Sequence, residues 1–264
     1  PLSSRTAEFL NLIPSQILIP FLNYYTLEDE QYFVIIEVFQ SLLEFASSQL
    51  KKFQEISISI LESFFVGNHN INVYQYNPNY EIKESMISFF LSNHGYENLI
   101  EVLNSQDTSI TNIVRISQII LSLKGEIENF NYFEFSNTLC HIFSTKSSTD
   151  LRSFPLNVVE PLISQLPKSD NWLQLFMSFL KSELFDKQLF ALKQIEQTIS
   201  SQFDSTIIFN FLKDNFDQII SIPPHQEFYP LLGSICFSSL KMNLLSFEKI
   251  AMLWNTQEYV HQSE

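Results

Sequence analysis

Four glycines in a chain of 264 residues set the tightest limit on how it can fold. Dinucleotide-binding, P-loop and hydrolase-elbow architectures turn sharply from strand to helix, and those turns need residues that tolerate positive φ. Helices need few of them, and the apolar spacing agrees. In "NYEIKESMISFFLSNHG", Ile82, Met86, Phe89 and Phe90 fall at i, i+4, i+7 and i+8, one face of a 3.6-residue repeat. In "FDKQLFALKQIEQTIS", Phe185, Leu189, Leu192, Ile195 and Ile199 step by 4, 3, 3 and 4. Near the end, "LLSFEKIAMLWNTQEYVHQ" places Phe247, Ile250, Ala251 and Trp254 on one face. Ser246 there is positioned as an N-cap and Glu248 in the first turn, where the helix dipole favours a carboxylate.

The stretch "QYFVIIEVFQSLLEFA", residues 31 to 46, is apolar on nearly every side, as a helix covered by neighbours would be. "EISISI", residues 55 to 60, alternates with period 2 like a strand. Phe53, Ile56, Ile60 and Phe64 nevertheless carry helical spacing through it, and an isolated strand would leave its backbone groups unpaired. We therefore read it as helix. "NHGYENLIEVLNS", residues 93 to 105, has a Gly before a short amphipathic helix carrying Leu99, Ile100, Val102 and Leu103. Breaks are expected at residues 67–79, 144–155, 166–171 and 221–226, where Pro, Asn and Ser interrupt helices. Paired helices at a spacing of about 40 residues predict an all-α fold, an armadillo/HEAT-like right-handed helical solenoid. The expectation is a single continuous array over 1–264 with roughly six helix pairs. An irregular helical bundle is the structural alternative.

Composition narrows function. Apolar residues make up 45% of the chain, with 26 Phe, and charged residues only 17%, which gives enough burial to offset chain entropy. The net charge is −14, from 29 acidic and 15 basic residues, and the only tight basic group is Lys51-Lys52. Nucleic-acid binding needs clustered cations, so a basic or other protein partner fits better. Two cysteines are too few for a disulfide framework, and the default is a reducing compartment. No apolar run reaches the roughly 18 residues of a membrane span, and "PLSSRTAEFL" lacks a signal-peptide core. The expectation is a soluble, cytoplasmic, monomeric protein without a membrane span. A first residue of Pro and a ragged end at Glu264 read as an excerpt of a longer chain.

Reactive residues are few and scattered. Cys140 and His141 are adjacent in "NTLCHIFS", but neighbours on a helix point about 100° apart and do not face one substrate. Cys140 and Cys236 both read as buried structural thiols. His69, His94, His141, His225 and His261 form no H-x-x-x-H pair and no cluster with Cys, so no metal site is expected. His94, beside Gly95, reads as part of a helix end. Glu28 with Asp29, and Glu126 with Glu128, read as solvated faces and first turns. Phe-rich stripes at helical spacing read as core. No catalytic residue and no cofactor is expected.

Residues 205 to 262 resemble a segment of the N-terminal armadillo-like region of the very large ubiquitin-specific proteases of the fat-facets type. The carrying residues are His225, Gln226 and Tyr229 in "HQEFY", Leu245 and Ser246 in "LLSFEKI", and Leu253, Trp254, Gln257 and His261 in "LWNTQEYVH". Upstream, "FMSFLKSELFDKQLFALKQIEQTIS", residues 176 to 200, is similar to that family's short helix, turn and long helix. The resemblance covers roughly residues 172 to 262. It implies a parent that removes ubiquitin with a cysteine nucleophile and a histidine base in a distant papain-like domain, and protein partners that are substrates or regulators of a ubiquitin-pathway enzyme. The glycine-flanked Asn-Thr-Cys box of such enzymes does not occur here. A second class fits the same composition: an armadillo-type regulatory module such as the GTPase-binding region of a formin-like actin regulator. A third, a nuclear-transport-like carrier, would bind basic signal peptides.

Overall fold

The structure is a computed structural model that describes residues 40–46, 51–66, 80–149, 154–202, 205–223 and 225–244. Among these residues all regular structure is helical, with no strand. The chain divides into two compact units, Pro1–Asn131 and Tyr132–Glu264. The expected break at 67–79, most of the apolar stretch at 31–46 and the helix expected beyond Leu245 lie outside the described residues.

In the first unit, residues 40–46 are helical and are followed by α1 (Lys51–Phe65), α2 (Tyr80–Ser92), α3 (Gly95–Asn104) and α4 (Ile110–Ser122). The "EISISI" stretch lies inside α1, so helical spacing prevails over the period-2 alternation. Its physical reason is burial on more than one side: Ile56, Ile58, Ile60, Leu61, Phe64 and Phe65 are all in the core. Helix α1 packs on α4, and Arg115 Nε reaches Glu62 at 3.2 Å across that contact. The turn from α2 to α3 is tight. His94 adopts left-handed φ of 58°, and a Cβ on Gly95 would lie 2.5 Å from the Phe90 ring and 2.7 Å from the Phe90 carbonyl oxygen. No other residue type fits that crossing without displacing Phe90, whose ring meets Phe65 edge-on at 5.0 Å. Helix α4 begins with Ser109, whose hydroxyl accepts from the Asn112 amide at 3.3 Å, satisfying one orphan donor.

The second unit contains α5 (Tyr132–Thr149), α6 (Leu156–Gln165), α7 (Asp170–Leu180), α8 (Phe185–Ser201), α9 (Thr206–Ile220) and α10 (Tyr229–Lys241). Their packing follows a simple rule. Helix α7 packs on α5 and on α9, α8 packs on α6 and on α10, and α7 and α9 also meet their chain successors α8 and α10. Odd-numbered helices therefore contact odd, and even contact even, with hairpins joining the two rows. Helix α7 is covered nearly all round: Trp172, Leu173, Leu175, Phe176, Met177, Phe179 and Leu180 are buried. Burying each such side chain contributes about 1.5–3 kcal/mol. Aromatic rings run through this core, with Phe143 against Trp172 at 6.3 Å, Trp172 against Phe176 at 5.8 Å and Phe176 against Phe190 at 6.1 Å.

One expected break needs correction. Residues 144–149 belong to α5 rather than to a loop. Their Ser and Thr hydroxyls turn back onto the helix: Thr145 donates to the His141 carbonyl, Ser147 to that of Ser144 and Ser148 to that of Thr145. Those side chains thus avoid competing for the backbone in a non-helical form. The expected breaks at 166–171 and 221–226 fall between helices, although Asp170 and Asn171 already belong to α7. Pro230 sits in the first turn of α10, where its missing N–H has no helical partner to lose.

Candidate functional site

Polar groups in the second unit concentrate at the two ends of α6. Its C-terminal end is the connection Leu166-Pro167-Lys168-Ser169, which the sequence marks as a polar loop. The structure buries it: Lys168 is 7% exposed and Ser169 also 7%. The Lys168 ammonium donates to the Leu166 carbonyl at 2.6 Å and to the Ile163 carbonyl, capping the last carbonyls of α6 with a cation where the helix dipole favours one. It also lies 5.7 Å from the centre of the Trp172 ring. Among the described residues no carboxylate pairs with it. Burial pulls the Lys168 pKa down to about 8, while the neighbouring Cys140 acts in the opposite sense as the smaller cause.

Neighbouring helices hold this connection from both sides. From α5, Tyr132 donates to the Gln165 carbonyl at 2.7 Å and Ser136 to the Pro167 carbonyl at 2.6 Å. The Ser136 hydroxyl accepts in turn from Trp172 Nε1 at 2.9 Å, and Ser169 donates to Asn137 Oδ1 at 2.5 Å. Gln202, the residue that follows α8, donates to the Lys168 carbonyl at 3.3 Å. Apart from the Lys168 bonds within its own connection, these bonds join residues more than 30 positions apart, so the arrangement fixes helices relative to one another.

The N-terminal end of α6 repeats the device. Lys187, on α8 and 4% exposed, donates to the Phe154 carbonyl just before α6, with its ammonium 5.3 Å from the centre of the Phe154 ring. This end is open. A cavity of about 630 Å3 lies between the starts of α6 and α8, lined by Phe154, Leu156, Asn157, Phe185, Asp186 and Lys187 among others. That volume is in the range of small-ligand and side-chain pockets. Phe185 links the cavity wall to His225 and Phe228, with ring centres at 4.1 Å and 5.3 Å.

Of the residues that carry the family resemblance, the structure places three. His225 is exposed, with its ring tilted against those of Phe185 and Phe228, Gln226 is exposed, and Tyr229 is half-buried at the start of α10. Leu245, Ser246, Leu253, Trp254, Gln257 and His261 lie outside the described residues. Cys140 is 2% exposed whereas His141 is exposed, so the adjacent pair diverges as helix geometry requires. Burial pushes the Cys140 thiol up to about 12, with Lys168 opposing, and it pushes Cys236 up as well. Neither thiol forms a thiolate near neutral pH. His94 lies at the start of α3, and Glu126 and Glu128 are exposed in the turns after α4.

Sequence reasoning missed Lys168, Lys187, Ser136 and Trp172. Periodicity gave no signal for Lys168, which lies in the connection before α7, outside any helix. Among the described residues, no group of three His, Cys, Asp or Glu could hold a metal ion, and no helix is long and apolar enough to cross a membrane. Comparison with protein-family models, with curated proteins and with solved structures finds no match.

Proposed function

We propose that the chain is a noncatalytic scaffold of helical repeats, an armadillo- or HEAT-like right-handed solenoid that positions protein partners. The observation that carries this reading is the two-row packing of α5 to α10, in which each hairpin buries its apolar faces against the next. That arrangement is how stacked repeats build a core without a central sheet, and it leaves long faces for macromolecules. The acidic balance of −14 adds that a partner surface bearing Lys and Arg would be attracted. On the family resemblance of residues 172 to 262, the parent is a large deubiquitinating cysteine protease whose catalytic domain lies elsewhere, and the scaffold presents substrates or regulators to it.

Two measurements test the reading. The purified chain, incubated with a ubiquitin–rhodamine conjugate, is expected to release no fluorophore, because the Cys140 thiol is buried and protonated. Turnover abolished by Cys140→Ala would overturn the noncatalytic assignment. The parent is tested by reading the transcript beyond codon 264. A downstream Asn-Thr-Cys box with a later His box supports it, and a proline-rich tract followed by a helical actin-binding domain overturns it.

A further inference from the structure

We draw no further inference here: the strongest candidate, the cavity of about 630 Å3 between the starts of α6 and α8, is bordered by a Lys187 ammonium already hydrogen-bonded to the Phe154 carbonyl, and nothing in the structure shows what fills it.

Discussion

The two ends of α6 use the same chemistry to opposite effect. Each has a buried lysine whose ammonium lies near an aromatic ring and donates to main-chain carbonyls. At the C-terminal end, α5 and Gln202, just after α8, add hydrogen bonds until Lys168, Ser136 and Trp172 are enclosed. At the N-terminal end, Phe185 and Leu184 remain half-buried and a cavity opens beside Lys187. A buried lysine is therefore not in itself the mark of a site. The surrounding polar groups decide whether it closes a joint or borders a space.

The largest effect expected from this contrast is on packing. Trp172→Ala removes a fully buried indole and should cost about 3–5 kcal/mol. Phe185→Ala, at the open end, should cost about 1 kcal/mol, because a half-buried ring loses less area. Urea denaturation of both variants reads the difference from the midpoints at constant slope. Equal losses would mean that the open end is as tightly built as the closed one.

Much of the fold that carries this contrast was legible in the sequence, because apolar residues at 3.6-residue spacing mark a helix face whatever lies opposite. The steps from Phe185 to Ile199 run along α8, and the spacing from Phe53 to Phe64 outweighed the alternating serines of α1. Polar residues deceived more. Lys187, Gln188, Gln194 and Thr198 lie off the apolar spacing of α8, yet all are buried, because α6, α7 and α10 enclose that helix from several directions. One face per helix is what periodicity encodes. A helix inside two rows buries more than one, and which extra residues go inside depends on neighbours some 30 residues away, as with Lys187 and Phe154.

Titration of Lys168 gives the next effect. Its pKa falls from an ordinary 10.5 to about 8, so its contribution to stability is fully present above 10.5 and is lost as pH falls through 8. Cys140, raised from 9.0 to about 12, has the opposite sign: its contribution is present below 9 and is lost as pH rises toward 12. Subtracting the stability curve of Lys168→Met from that of the wild type cancels most of the thiol's contribution. That difference should move in favour of the wild type by on the order of 3 kcal/mol between pH 7 and 10.5. A neutral amine still donates to both carbonyls, so near-UV circular dichroism of Trp172 should change little over the same range. A flat difference curve would place a counter-charge or water beside Lys168 and undo its likeness to a sealed joint.

Ser136→Ala tests whether the closed end is held by hydrogen bonds as well as by packing. The substitution leaves Trp172 Nε1 and the Pro167 carbonyl without their shared hydroxyl, which should cost about 1–3 kcal/mol. In a double-mutant cycle with Trp172→Phe the two losses should be strongly non-additive, since both remove the same Nε1 bond. Additive losses would show that the hydroxyl supports the connection through Pro167 alone.

The smallest effect belongs to the open end. Asp186 is exposed in the first turn of α8, a helix whose N-cap, Leu184, has no side-chain acceptor for the free amides. Its carboxylate compensates the partial positive charge there, so Asp186→Asn should cost a few tenths of a kcal/mol at low ionic strength. Salt separates the two ends further. In about 1 M sodium chloride the Debye length falls to roughly 3 Å, and the Asp186→Asn loss should shrink toward zero. The Ser136→Ala loss should keep its size, because that hydroxyl is shielded from solvent ions. Salt sensitivity shared by both variants would mean that water reaches the Ser136–Trp172 bond, and the distinction between a sealed and an open end of α6 would fall.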